Sequence, residues 1–264
     1  MMAGRFRMRP CAISGVEAVE ADSAHSFGRH MHDQFGIGLI LGGAQKSASG
    51  RGPVEAGAGD IITVNPGEVH DGCPIGDHGR SWRMLYLDPA VMAALALDIS
   101  NGRTADFVFT DPVIGDRQRA REFHALYAGM TETKDTLAPE TALLQLVASL
   151  AGQRRETQFL PPAISRARER IDDDPAAAVT LGDLAAASGL SRFQVVRHFN
   201  EATGMTPHAY LVQRRLAVVR QLIAKGTSLA DASFAGGFAD QSHMTRTFVR
   251  AYGITPGAYA LAAG

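Results

Sequence analysis

The sequence predicts an α+β chain: an N-terminal antiparallel β-barrel or sandwich with flanking helices, then an all-α part built from two helix-turn-helix units. Three observations predict it. Residues 24–87 hold short β-branched and aromatic runs punctuated by Gly and Pro. After Pro112 the apolar residues recur at three- and four-residue steps. Within the last hundred or so residues, one stretch is written twice.

The strand runs come first. Phe35, Ile37, Leu39 and Leu41 alternate with Gly36, Gly38 and Ile40 and stop at Gly42-Gly43. Ile61 to Val64 form a second run, ended by Asn65-Pro66-Gly67. Trp82 to Leu87 form a third, ended by Asp88-Pro89. Gly50, Gly52, Gly57 and Gly59 suit tight corners between strands. Helices are expected from about 113–155, as Val113 to Thr131 and Ala138 to Arg155. In the second, Leu143, Leu146, Val147 and Leu150 form a stripe that packs on its own domain or on a second subunit. A linker from Glu156 to Pro162, containing Pro161-Pro162, separates an expected domain at 1–158 from one at 159–264.

Composition narrows the function classes. The 264 residues carry 26 Lys+Arg and 27 Asp+Glu, and 45% are hydrophobic, which describes a globular chain rather than a disordered one. Charge or Gly interrupts every apolar segment, so no membrane span of about 18 apolar residues is expected. Arg5, Arg7 and Arg9 are followed by no apolar signal segment, so a cytoplasmic protein is expected. Cys11 and Cys73 fit no disulfide framework or metal motif. Charge is uneven: residues 162–264 hold 11 basic and 8 acidic groups, and all the basic ones except Lys225 are Arg, the side chain that forks onto phosphate and guanine.

The repeat gives this asymmetry a meaning. Leu181 to Leu190 matches Leu229 to Phe238 at an offset of 48 residues, and Ser191, Arg197, Phe199, Gly204, Pro207 and Tyr210 match their counterparts at 49. In copy one, Thr180 caps a helix, with Asp183 three residues on; Gly189 turns it at positive φ, and Ser191 caps the next. In copy two, Ser228, Gly236-Gly237 and Asp240 take the same places. Val195 and Phe199, like Met244 and Phe248, face inward. Arg192, Phe193, Val196 and Arg197 are left on the outer side, as are Gln241, Ser242, His243, Thr245 and Arg246. Arg197 and Arg246 suit guanine, Gln241 suits adenine, and Phe193 and Val196 suit a thymine methyl. Arg250, Arg214 and Arg215 suit phosphates. A joining helix from His208 to Lys225 would hold the two readers about one DNA turn, ~34 Å, apart.

These residues carry a resemblance. From Leu181 to Tyr259 the text resembles the DNA-binding domain of AraC/XylS-type transcriptional regulators, through Gly-Phe, Arg-x-Phe and Gly-Ile-Thr-Pro-x-x-Tyr in order. It implies two helix-turn-helix units in adjacent major grooves of double-stranded DNA, a homodimer, and a contact with RNA polymerase. One departure is Ala235 ahead of Gly236-Gly237, where the family often has a larger residue. The N-terminal half is similar to the cupin-like effector domain of such regulators: His30-Met31-His32, Gly59-Asp60 and Pro66-Gly67-Glu68-Val69-His70 echo the two cupin motifs, the second shortened.

On that pattern His30, His32 and His70 suit either Zn or Fe or, with no cofactor, a small-molecule effector. The acidic ligand of metal cupins has no match in Asp33-Gln34-Phe35-Gly36-Ile37. Phe35, Trp82, Arg83 and Tyr86 are candidate walls, and the arm Arg5–Pro10 is a candidate reporter of occupancy. The expected function is a sequence-specific, effector-controlled regulator and not an enzyme. The alternatives are a metal-dependent cupin enzyme fused to a DNA-binding domain, and a constitutive dimeric DNA-binding protein.

Overall fold

The structure is a computed structural model and describes residues 5–76, 78–132, 137–151 and 160–263. The chain folds as two compact units that part between residues 156 and 157. The short piece 28–30 groups with the second, although its strand is hydrogen-bonded into the sheet of the first.

The first unit holds β1 (Arg5–Arg9), β2 (Val16–Ser23), β3 (Phe27–His30), β4 (Phe35–Ser49), β5 (Gly52–Gly57), β6 (Ile61–Val64), β7 (His70–Pro74), β8 (Arg80–Leu87) and β9 (Val113–Ile114). One path through the sheet runs β1-β2-β8-β4-β6-β9; β7 and β5 pair with β4, and β3 pairs with β7. Every register that is resolved is antiparallel. β4 closes the structure. Its first half pairs with β8 and β6, its second half with β5 and β7, and the register slips between Ile40 and Gly42. A bulge at that point bends a strand from one sheet into another.

Alternation then separates two faces. Ile37, Leu39, Leu85 and Leu87 face a core shared with α1 (Pro89–Ile99), α2 (Arg117–Glu132) and α3 (Leu137–Leu150), through Met92, Phe123, Leu126, Leu143 and Leu146. Ile40, Trp82 and Met84 face the barrel interior, with Phe6, Phe27 and Tyr86 against them. Gly38 lies where β4 meets β8: a Cβ there would collide with Met84 Sδ and stand 2.9 Å from the Arg83 carbonyl oxygen.

Several expectations change here. β1 and β2 precede the first expected strand, so Arg5–Arg9 is part of the sheet and not a loose arm; Phe6 lies edge-on to Trp82 at 5.7 Å. Alternation in β2 is blurred by its charged residues Glu17, Glu20 and Asp22. β8 ends at Leu87, where Asp88-Pro89 was expected to stop it, and Pro89 also starts a helix, because Pro lacks only an N–H that the first helical turn leaves unbonded anyway. Val113–Ile114 pairs with β6, and the helix begins only at Arg117. Residues 152–155 of the second expected helix, and most of the expected linker, lie outside the described residues. Leu143, Leu146, Val147 and Leu150 are all buried in the unit's own core, so the stripe packs internally and offers no face to a second subunit.

The second unit is helical: α4 (Pro162–Asp172), α5 (Leu181–Ser188), α6 (Arg192–Thr203), α7 (Pro207–Ala224), α8 (Leu229–Ala235), α9 (Gln241–Tyr252) and α10 (Pro256–Ala263). No described helix is long and apolar enough to cross a membrane.

Candidate nucleic-acid interface and barrel interior

The caps set the frame of each helix-turn-helix. Thr180 and Asp183 form a capping box on α5, Gly189 ends that helix at φ 70°, and Ser191 with Gln194 forms a capping box on α6. In copy two the Ser228 side chain accepts from the Asp231 amide, Gly237 turns at φ 77°, and Asp240 accepts from the His243 amide. These side chains satisfy amide groups that a helix start leaves unbonded. They thereby fix the rotation of α6 and α9 about their own axes.

That rotation decides what faces water. Val195, Phe199, Met244 and Phe248 are fully buried. Arg192, Phe193, Val196 and Arg197 are exposed on α6, and Gln241, Ser242, His243, Arg246 and Arg250 on α9, with Thr245 half-buried. Phe193 is 76% exposed, far from the usual state of a large aromatic side chain. Arg197 donates from Nε to Glu201 at 2.9 Å, and both side chains are mostly in solvent. This hydrogen bond pushes the Arg197 guanidinium above its ordinary range.

Arg214 and Arg215 differ from expectation. Arg214 Nε lies 2.9 Å from Asp172 on α4, and the same carboxylate accepts from the Tyr210 hydroxyl at 2.9 Å and pairs with Arg168 at 3.4 Å. Burial, and then the Asp172 charge, raise the Tyr210 hydroxyl. Arg215 donates to the carbonyls of Pro175 and Ala177. Both arginines therefore fasten α7 to the segment before α5, a role hidden in the sequence because their partners lie about 40 residues away. The joining helix α7 has 18 residues, about 27 Å at 1.5 Å per residue.

In the barrel, Trp82 and Tyr86 lie on the interior face with His32, whose ring centroid is 5.1 Å from that of Tyr86. Phe35 and Arg83 do not join them. Phe35 packs on Phe107 and Phe109 in the helix-covered core. Arg83 pairs with Glu20 at 3.7 Å and lies over the Tyr127 ring. Each is one residue out of phase with the interior set, so the pleat turns it to the other face.

His30, His32 and His70 do come together: one nitrogen from each lies within 4.8 Å of the others. His30 ends β3 and His70 begins β7, while His32 sits just beyond the strand expected to carry it. Burial pushes the His70 imidazole down. Nearby, Glu68 takes the Arg51 Nε–H at 2.7 Å. Burial alone would raise this carboxyl, but hydrogen bonds from Arg51, Ser49 and the Asn65 amide, together with the Arg51 charge, outweigh it and hold it low.

Arg80 was not singled out in the sequence, where nothing marks it apart from the other arginines. It is 2% exposed, donates to Gln45 and to the carbonyls of His25 and Gly72, and lies over the Trp82 ring at 4.7 Å. Burial lowers its guanidinium to about 10.

Comparison with known proteins agrees with this architecture. Residues 14–147 match the family described as the AraC-like ligand binding domain, and residues 184–262 match a helix-turn-helix domain. An uncharacterized HTH-type transcriptional regulator of Bacillus subtilis, YbfI, is 28% identical over 224 residues, 83% of this chain and 81% of that protein. The transcriptional activator NphR of Rhodococcus is 34% identical over 164 residues, 61% of this chain and 47% of NphR. A crystal structure of ToxT from Vibrio cholerae with an unsaturated fatty acid bound has the same fold, with a TM-score of 0.59 at 13% identity, covering 99% of this chain and 96% of that one. An antiparallel ligand-binding barrel followed in the chain by two capped helix-turn-helix units thus makes this chain a member of the AraC family of DNA-binding transcriptional regulators.

Proposed function

We propose that α6 and α9 read successive major grooves of one duplex, and that a small molecule in the barrel interior sets how they are presented. The observation that carries this reading is the matched exposure of Arg197 and Arg246 on two helices whose rotation is fixed by their caps. Base readout falls to Arg192, Phe193, Val196, Arg197, Gln241, Ser242, His243, Thr245 and Arg246. Phosphate contact falls to Arg250, and Arg214 and Arg215 take structural roles instead. Footprinting of the operator found by genome-wide mapping tests this. Arg197→Ala and Arg246→Ala should each relax specificity at a different position, and an unchanged footprint for both would refute it.

For the effector, the interior supplies a buried cation, Arg80, whose partners among the described residues are neutral oxygens, and an aromatic surface from Phe6, Phe27 and Trp82. Those features favour an acidic molecule with an apolar body. A thermal shift of the full chain with carboxylates of increasing chain length, reduced in Arg80→Gln, is the expected result. The barrel is read as a sensor rather than an enzyme. Binding as a homodimer and contact with RNA polymerase belong to the same proposal; sedimentation with and without operator DNA tests the dimer.

A further inference from the structure

We infer that the helical unit holds a ligand site of its own, a cleft between α7 and the turn of copy two that takes a small carboxylate with a flat apolar body. The cleft has a volume of about 690 Å³, within the ordinary range of small-molecule sites. Its lining lies entirely within residues 174–243, so it is not the barrel interior.

Three stretches of chain build it. His208, Val212 and Arg215 recur at four and three residues along α7 and share one face. The segment 174–177 is fastened to that face by the Arg215 hydrogen bonds to the Pro175 and Ala177 carbonyls, at 2.8 and 3.1 Å. The third wall runs from Phe234 through the turn to Phe238 and on to His243 in the first turn of α9, whose ring lies 5.5 Å from that of Phe238. Gly237 lets these walls meet: a Cβ there would stand 2.7 Å from the Ala176 carbonyl oxygen and 3.1 Å from Arg215 Nε. Gly189, at the same place in copy one, has nothing packed against it. The two turns are therefore built for different surroundings.

The lining decides the class of ligand. Among the described residues Arg215 donates only to neutral carbonyls, and a partly desolvated cation without a counter-charge favours an anion. The imidazoles of His208 and His243 line the same cleft and bring further N–H donors. Asp174 is the one acidic residue in the lining, and its Oδ1 already accepts from the amides of Ala176 and Ala177. Val212, Phe234 and Phe238 supply apolar surface, and Phe234 is 85% exposed. A hydrated phosphate strand gains nothing from such walls, whereas an aromatic carboxylate uses both the walls and the donors. His243 also belongs to the base-reading set, so a ligand that engages it withdraws it from DNA and lowers operator affinity. This last step rests on the DNA-binding reading above; the cleft itself does not.

The test uses the full chain with nitrogen-15 in its histidine rings, and 1-naphthoate as the ligand. Signals are assigned with His208→Gln and His243→Gln. 1-Naphthoate should displace both ring signals with one saturable affinity, and should still do so in Arg80→Gln, which lacks the barrel cation. Ala235→Trp, which fills the cleft from the end of α8, should abolish the displacement. The neutral 1-naphthamide should bind more than about tenfold more weakly. Nuclear Overhauser contacts from the naphthalene protons to the Val212 methyls of the unmodified chain decide the matter if a variant fails to fold. No displacement, displacement lost in Arg80→Gln, equal binding of the amide, or no contact with Val212 would overturn the site. Saturating 1-naphthoate should then lower the operator affinity of the Arg80→Gln chain about fivefold or more and leave that of Ala235→Trp unchanged. An unchanged affinity in the first would overturn the coupling. A chain that binds 1-naphthoate in the cleft but leaves every operator unbound would refute the DNA-binding reading and not the site.

Discussion

The two helix-turn-helix units share a backbone plan and differ in the chemistry they present. Copy one exposes an apolar and cationic face: Phe193 and Val196 between Arg192 and Arg197. Copy two shows hydrogen-bonding groups: Gln241, Ser242, His243 and Arg246. The turns differ as well. A Cβ on Gly189 would meet nothing within 4 Å, whereas one on Gly237 would sit 2.7 Å from the Ala176 carbonyl oxygen and 2.8 Å from the Ala176 Cα. Duplication kept the frame and let both the reading surface and the tightness of the turn diverge. If α6 and α9 read DNA as proposed, the expected operator has two unlike half-sites.

The contrast can be broken in stability first. Gly237→Ala adds a backbone clash to a left-handed conformation and should cost about 2–5 kcal/mol. Gly189→Ala meets only the left-handed conformation and should cost about 1–2 kcal/mol. Urea unfolding of the two variants side by side checks this; equal losses would remove the asymmetry of the turns. Next comes recognition. Arg246→Ala and Arg197→Ala should each lower operator affinity roughly five- to a hundredfold. Competition against operators mutated one half at a time should show each loss confined to its own half. A smaller contrast lies among the arginines outside the base-reading set. Arg250→Ala should reduce the salt dependence of binding by about one ion. Arg214→Ala should leave that slope alone and lower stability by about 1 kcal/mol, since its pair with Asp172 is only partly shielded from water. The smallest effect is expected of Glu201→Gln, which releases Arg197 from its own helix and should strengthen binding slightly at low salt.

Much of this was legible in the sequence because it depends on neighbours along the chain. Caps three residues from their amides, glycines at turns and the inward faces of α6 and α9 all rest on spacings of a turn or less. What depends on distant partners was not legible. Arg214 and Arg215 read as surface cations until the fold places Asp172 and the Pro175 carbonyl beside them. Arg83 and Trp82 are adjacent in sequence, and only the pairing of β8 with β2 and β4 shows which of them faces the barrel interior. The three histidines stood out by their motif, but their convergence required β3 and β7 to pair across 40 residues of chain.

The outer edge of β1 has one more consequence. Among the described residues this strand ends the sheet path and pairs only with β2. A bare strand edge invites another chain to add to it, the first step toward fibrous aggregates. Arg5, Arg7 and Arg9 punctuate that edge, so a second molecule docking there in the same way would bring rows of like charge together. Mutual repulsion would keep the barrels apart even in a crowded cell, leaving association to be governed by surfaces other than this one.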